Sequence, residues 1–287
     1  MDLDDFYDRA FSRNRGLISE QEQQKLKNTR VAIPGMGGMG GTHAATLART
    51  GIGKFTIADF DEFGVHNINR QYGAMASTVD KDKAQVMAGI IKDINPSADV
   101  KIINEAISLE NADDFLADVD VMIDALDVFV MDARLLLYKK ARELGIPVIS
   151  AGPIGFSAVV NVFSAEGMSF EDFFGLEPDM SEKEILLSFF AGIPIGPHMK
   201  YMDLKGVDPV SGAAPSLGLA CQMGAGMAAT EVIRYVLGKG KMKAVPWFFQ
   251  FDPYAQYYKQ HYRWLGGRNP LFKLKKQFVK RKIPALK

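Results

Sequence analysis

Val31-Ala-Ile-Pro-Gly-Met-Gly-Gly-Met-Gly-Gly41, with Asp59 closing the next apolar run, decides the fold. A short apolar strand over 31–33 runs into glycines at 35, 37, 38 and 40, and a helix rich in small residues follows to Thr50. Glycine permits a tight turn and close approach of the backbone to a ligand. The free N–H groups and the positive dipole end of the helix then face an anion. The stretch reads as a phosphate cradle at a strand–turn–helix junction. Asp59 ends Phe55–Ala58 at about the spacing where an acidic side chain meets ribose hydroxyls. Gly35-x-Gly37-x-x-Gly40 also satisfies the dinucleotide pattern, so the glycines leave NAD and ATP both open.

Outward from the cradle the pattern alternates. Strands are expected at Val31–Ile33, Phe55–Ala58, Val100–Ile103, Val121–Asp124 and Pro147–Ser150, and helices at Gly41–Thr50, Lys83–Asn95, Ala112–Ala117 and Met131–Leu144. Short polar joints between them imply right-handed βαβ units. The expected fold is α/β, a Rossmann-like and mainly parallel sheet, with a long crossover insertion in the second half over 164–215. That segment mixes Phe, Met, Pro and Gly with charges and is too long for an ordinary connection. Ala158–Phe163 continues the sheet, Leu217–Leu237 is a helix of small residues, and Trp247–Phe251 is a further strand. Residues 1–29 form an exposed helical lead-in with a helix start at Ser19-Glu-Gln-Glu, and 30–251 form the main domain. Residues 252–287 form a basic tail in which Lys273, Lys275, Lys276, Lys280, Arg281 and Lys282 alternate with Leu271, Leu274, Phe278 and Ile283. The tail reads as a surface helix packed on the domain or a dimer mate, with RNA or an acidic membrane surface as the other readings.

Composition narrows the class. With 287 residues, 47% of them hydrophobic, the chain can bury a large core, and its 34 basic and 34 acidic residues cancel. The field of the whole molecule therefore gives no argument for nucleic acid. The sequence has no signal-like segment and no run of 18 apolar residues, so a cytoplasmic protein without a membrane span is expected. Its single cysteine, Cys221, excludes an internal disulfide and a Cys₄ zinc site, and no zinc is expected. In Leu217-Gly-Leu-Ala-Cys221 it reads as a small buried helix residue.

The choice of nucleotide rests on residues downstream. Asn67, Arg70, Gln71, Lys83, Asp124 and Asp127 follow the cradle. A dinucleotide whose pyrophosphate lies on a helix end needs no converging Arg and Lys, whereas a triphosphate does. Mg²⁺ takes one or two carboxylates plus phosphate oxygens and water, and Asp127, just past the fourth strand, stands on the ligand side of an open sheet. His43 reads as a helix residue and Asp124 as a structural support for the Asp127 loop. Asp61 and His66 read equally as site or loop residues.

With these motifs, the chain resembles the ubiquitin-activating-enzyme-like superfamily of ThiF/MoeB/HesA type. The resemblance runs from about Tyr7 to Gly238. It rests on Gly35-x-Gly-Gly-x-Gly40, Asp59-Phe-Asp61, Asn67-x-x-Arg70-Gln71, Lys83, Asp124-x-x-Asp127, Pro215-Ser-Leu-Gly218 and Tyr7-x-Arg9. It implies a homodimeric enzyme that activates a carboxylate with ATP and Mg²⁺ through an acyl adenylate, with 30–251 as the adenylation domain. Gly35, Gly37, Gly38 and Gly40 would form the phosphate loop and Asp59 would take the ribose. Asn67, Arg70 and Lys83 would hold the phosphates with Gln71 close by, and Asp127 would bind Mg²⁺. Arg9 would reach the neighbouring subunit's site, with Arg13 and Arg15 as alternatives. The implied partner is a small ubiquitin-like carrier protein with a C-terminal carboxylate. The alternative is a tRNA threonylcarbamoyladenosine dehydratase-like enzyme acting on tRNA, to which Leu47–Gly53 and Asn67–Gln71 are similar. A NAD-dependent oxidoreductase makes no use of the Asn67, Arg70, Lys83 and Asp127 set. A non-catalytic partner subunit would not need every nucleotide residue. Unlike many relatives, this sequence has no paired Cys-x-x-Cys motifs and no cysteine in the crossover segment.

Overall fold

The computed structural model describes residues 2–203 and 215–282. Part of the crossover segment, 204–214, and Ile283 of the tail lie outside the described residues. Helices α1 (Leu3–Ala10) and α2 (Glu20–Asn28) precede β1 (Arg30–Pro34), α3 (Gly38–Thr50), β2 (Lys54–Ala58), α4 (Lys83–Ile94), β3 (Asp99–Ile103), α5 (Ala112–Leu116), β4 (Val121–Asp124) and α6 (Met131–Glu143). Then come β5 (Val148–Ile154), β6 (Ser157–Phe163), α7 (Phe170–Phe174), α8 (Glu182–Gly192), α9 (His198–Tyr201), α10 (Gly218–Leu237), β7 (Trp247–Asp252), β8 (Tyr257–Tyr262) and α11 (Pro270–Lys282).

One sheet runs in the order β3-β2-β1-β4-β5-β6-β7-β8. The first five of these strands are parallel and the last three antiparallel. The mostly parallel α/β fold expected from the sequence is present. Between β1 and β4 the connection order reverses, and at such a switch point the loops leave a crevice at the carboxyl ends of the strands. The glycine stretch opens there.

Strand alternation divides the core in two. Val31, Ile33, Phe55, Ile57, Val121 and Ile123 point to the layer of α3, α4 and α10. Ala32, Ala58 and Met122 point to the opposite layer, where Phe115, Leu137, Tyr138, Phe163, Phe170, Phe173 and Phe174 are buried together. The phenylalanines of the early crossover segment are thus core residues. The N-terminal lead-in is docked as well as exposed: Tyr7 and Leu26 are fully buried, and the Tyr7 hydroxyl donates to the Gly51 carbonyl at 2.5 Å. Its second helix starts on a complete capping box between Ser19 and Glu22, as the Ser-Glu-Gln-Glu pattern predicts.

Three boundaries differ from the sequence expectation. Helix α3 begins at Gly38, not Gly41, so the last loop glycines are already helical and serve close packing. Strand β5 continues to Ile154 because β6 folds straight back on it, Ile154 facing Ser157 across Gly155 at φ 60°. The boundary expected at 251 falls inside β7, and β8 extends the sheet from Tyr257 to Tyr262.

Glycine spacing is tightest at the cradle. A β-carbon on Gly40 would stand 1.7 Å from the Gly35 carbonyl oxygen, whereas one on Gly89 in α4 would meet nothing within 4 Å. Gly40→Ala is therefore expected to unfold the protein or lower its urea midpoint severely. Gly89→Ala should raise stability by about 0.5–1 kcal/mol through backbone entropy and helix propensity. Equal behaviour of the two variants in urea titrations would contradict this packing.

Candidate functional site

The cradle is built backbone against backbone. Past β1, Gly35 takes φ 90° and donates to the Ala58 carbonyl at 2.7 Å, with its Cα pressed toward the Ala125 carbonyl of the β4–α6 loop. The Asp59 carboxylate accepts from the Met36 N–H at 2.6 Å and the Asp61 N–H at 2.9 Å. Half-burial raises the Asp59 pKa above the ordinary carboxylate value, against the pull of these two N–H groups and Lys83. Asp59 therefore ties the end of β2 to the glycine loop.

The Asn67–Gln71 turn closes one side. Asn67 is buried, its side chain accepting the Gly64 N–H at 2.9 Å, while its carbonyl receives the N–H groups of Arg70 and Gln71. Arg70 lays its aliphatic stem beside Gly38 and donates to the His66 carbonyl and the Asn69 side chain, both at 3.0 Å. Gln71 stands beside Gly37, with its buried Oε1 lacking a partner. Lys83, at the first turn of α4, is buried and donates to Asp61 at 2.9 Å. Asp61 thus supports the site by fixing this cation. His66 is an exposed residue of the 3₁₀ turn Val65–Asn67, and its backbone serves Arg70.

On the other side stands the β4–α6 loop. Asp124 ends β4 and accepts from Arg134 Nε at 2.9 Å and the Tyr138 hydroxyl at 3.0 Å, all three being buried. The same guanidinium donates to the carbonyls of Leu126 at 2.7 Å and Asp127 at 3.1 Å. A buried pair of this kind adds little net stability, yet removal of one partner strands a charge, at a cost of about 3–5 kcal/mol. Its visible result is a 124–127 loop held at three points by one guanidinium. Asp127 itself is exposed and accepts the Phe129 N–H at 3.1 Å. Sequence reasoning assigned the structural role to Asp124 and missed Arg134 and Tyr138. Their signal was an arginine three residues into a helix with an otherwise apolar inner face.

The glycines, Asp59, Asn67, Arg70, Gln71, Lys83 and Asp127 are brought to one edge of the sheet. Arg9 is not among them. Tyr7 fastens α1 to Gly51, the C-terminal cap of α3, whereas the glycine loop is at the N-terminus of that 13-residue helix, roughly 20 Å away. Arg9 is exposed and pairs with Asp5 at 3.4 Å, and Arg15 lies 3.7 Å from Glu20. Cys221 is buried as expected, and it also abuts the cradle: a β-carbon on Gly38 would stand 3.2 Å from its sulfur. Burial pushes the thiol pKa up, which disfavours the nucleophilic thiolate.

The comparisons agree with this architecture. The ThiF family pattern matches residues 11–264. The chain belongs to the ThiF family. It is 38% identical over 152 residues to the tRNA threonylcarbamoyladenosine dehydratase of Haemophilus influenzae, covering 53% of this chain and 58% of that protein. It is 29% identical over 225 residues to the probable adenylyltransferase/sulfurtransferase MoeZ of Mycobacterium tuberculosis, covering 76% and 50%. The sulfur carrier protein ThiS adenylyltransferase of Escherichia coli is 30% identical over 147 residues, covering 51% and 58%. The chain spans between half and three-fifths of the length of these relatives. Among solved structures, E. coli TcdA superposes with a TM-score of 0.61 at 21% identity, covering 83% of this chain and 98% of that one. E. coli MccB with ATP gives 0.61 at 20%, covering 87% and 67%. These two likenesses speak for the fold.

His43, in the first turns of α3, is fully buried, and neither ring nitrogen has a hydrogen-bond partner. Burial pushes its pKa down to about 3, against the pull of Asp124. It is a helix residue, as expected, and the fold also buries it in neutral form. Its unfolded form, with a pKa near the ordinary 6.5, binds a proton that the folded form refuses, so its stability contribution is present above that value and is lost as pH falls toward about 3. Urea midpoints should therefore fall between pH 6.5 and pH 4 in the wild type and fall less steeply in His43→Leu. Parallel pH profiles would contradict the assignment.

Proposed function

We propose that the chain is an enzyme that activates a carboxylate with ATP, forming an acyl adenylate and releasing pyrophosphate. The observation that supports it most is the placing of Arg70 beside the glycine cradle, with Lys83 fixed on Asp61 next to the Asp59 tie and the exposed Asp127 ending the far wall. A cradle with no room for a β-carbon at Gly35 or Gly40, and with the orphaned Gln71 Oε1 beside it, suits a polyphosphate and sugar pressed close to the backbone. The glycine-loop N–H groups and the α3 N-terminus would receive phosphate oxygens, with Asn67 shaping the opposite wall. Asp59 remains available to ribose through its free lone pairs.

A substrate carboxylate is already a nucleophile at neutral pH, so no general base is required. Its oxygen attacks the α-phosphorus, the new P–O bond forms, and the bond to the departing pyrophosphate breaks. Two anions must meet, so positioning and neutralisation carry the rate. Lys83, held by Asp61, is a cation fixed before the substrate arrives. Mg²⁺ would be held by Asp127, completed by phosphate and water, and would neutralise phosphate charge. Arg9, at the far end of α3 from its own cradle, would serve a second copy, so the active form is read as a homodimer; Arg13 and Arg15 are the alternatives.

Cys221, buried with its pKa raised, is unsuited to a thioester, so the adenylate passes directly to its acceptor. The substrate we favour is the C-terminal carboxylate of a small ubiquitin-like carrier, by likeness to the ThiS and MoeZ adenylyltransferases. The 38% identity to a tRNA threonylcarbamoyladenosine dehydratase supports a second reading, in which the activated carboxylate is carried on tRNA. Among the described residues no helix is long and apolar enough to cross a membrane, and a cytoplasmic setting fits either substrate.

ATP–pyrophosphate exchange tested with candidate carriers and with tRNA decides between them. Asp127→Ala should lower exchange by about 10²-fold or more with its circular dichroism unchanged, because its side chain is exposed. Near wild-type exchange in that variant would refute the metal role of Asp127.

A further inference from the structure

From Lys239 to Lys282 the sequence carries twelve lysines and arginines against one acid, Asp252, in a chain of zero net charge. Asp252 is buried and receives the Tyr201 hydroxyl at 2.6 Å, so it neutralises little at the surface. The C-terminal part is therefore a basic body on a protein that is acidic elsewhere.

Helix α11 is seated through the face that carries Phe272 and Lys275. Phe272 is buried, with the Arg263 guanidinium 4.7 Å from its ring, and Lys275 donates to the Ile193 carbonyl at the end of α8. The face turned away carries Leu271, 70% exposed, and Leu274, 62% exposed, one turn apart. In the turn that leads into the helix Trp264 and Leu265 are each 49% exposed, and Tyr262 at the end of β8 is 54% exposed. Lys273, Lys280 and Arg281 are exposed around this strip.

We propose that the outer face of α11, with the Trp264–Leu265 turn, docks the protein on the surface of an anionic lipid bilayer. An aliphatic strip at helical spacing, flanked by Lys and Arg and bordered by Trp and Tyr, matches the boundary between headgroups and acyl chains. The basic rim complements anionic headgroups. A second copy of the chain would bring two positive faces together. Single-stranded nucleic acid would use the cations and rings, yet it gains nothing from exposed leucines. The contact is peripheral, independent of the adenylation reading and far from its residues in sequence.

Co-sedimentation of the full chain with phosphatidylglycerol–phosphatidylcholine vesicles tests it. Leu271→Glu/Leu274→Glu, two exposed positions outside the site, should reduce the bound fraction at least about tenfold. Its pyrophosphate exchange and circular dichroism should stay unchanged. Wild-type binding should also weaken at high salt and on pure phosphatidylcholine. The proposal is overturned by absence of vesicle binding, or by equal binding of the double variant. It is equally overturned if, without vesicle binding, the double variant changes only the oligomeric state in size-exclusion chromatography or the affinity for a single-stranded RNA oligonucleotide.

Discussion

Everything at the sheet's carboxyl edge depends on close approach to the glycine backbone: Gly35 against the Ala125 carbonyl, Gly40 against the Gly35 carbonyl, and Gly38 against the side chains of Cys221 and Arg70. The first two leave no room for a side chain, and the third is tight. Because the β1–α3 loop is held this tightly, its N–H groups keep fixed directions, and the helix that follows starts inside the glycine run. Two carboxylates secure the arrangement from either side. Asp59 ties the loop to β2, and Asp124 ties the neighbouring loop to α6 through Arg134 and Tyr138. Of the charged residues around them, Asp127 faces solvent and Lys83 is buried against Asp61.

Much of this was legible in the sequence because it is local. Strand, glycine turn and helix follow one another within twenty residues, and the alternation of Val31, Ile33, Phe55 and Ile57 against Ala32 and Ala58 appears unchanged in the two core layers. What was hidden depends on distant partners. Arg134 meets Asp124 across a strand–helix connection, and only the fold shows that one guanidinium holds a side chain and two carbonyls at once. Strand β8, Tyr-Tyr-Lys-Gln-His-Tyr, has no apolar alternation because it is the edge of the sheet and is wetted broadly. The hairpin between β5 and β6 required recognising Gly155 as a positive-φ turn residue.

The C-terminal part shows the same lesson in its charges. Lys275 belongs to a run that reads as solvated, yet it turns inward to the last carbonyls of α8 beside Arg263, which is buried among Phe173, Phe248 and Phe272. Arg263 also donates to the Gly192 and Phe173 carbonyls. Burial pushes the Lys275 ammonium down to about 7 and the Arg263 guanidinium to about 10. Cations at a helix C-terminus complement its dipole. These contacts anchor the crossover helix α8 to α11, and a pattern of alternating charge and leucine cannot reveal which lysine serves as the anchor.

The central claim is that the cradle, Arg70, Lys83 and Asp127 together hold a triphosphate and not a dinucleotide. Calorimetric titration of wild type and Lys83→Met with ATP plus Mg²⁺, and separately with NAD, tests it most directly. ATP should bind in a magnesium-dependent manner and weaken about tenfold or more in the variant, with NAD weak in both. Tight NAD binding indifferent to Lys83, with no magnesium-dependent ATP binding, would contradict the claim.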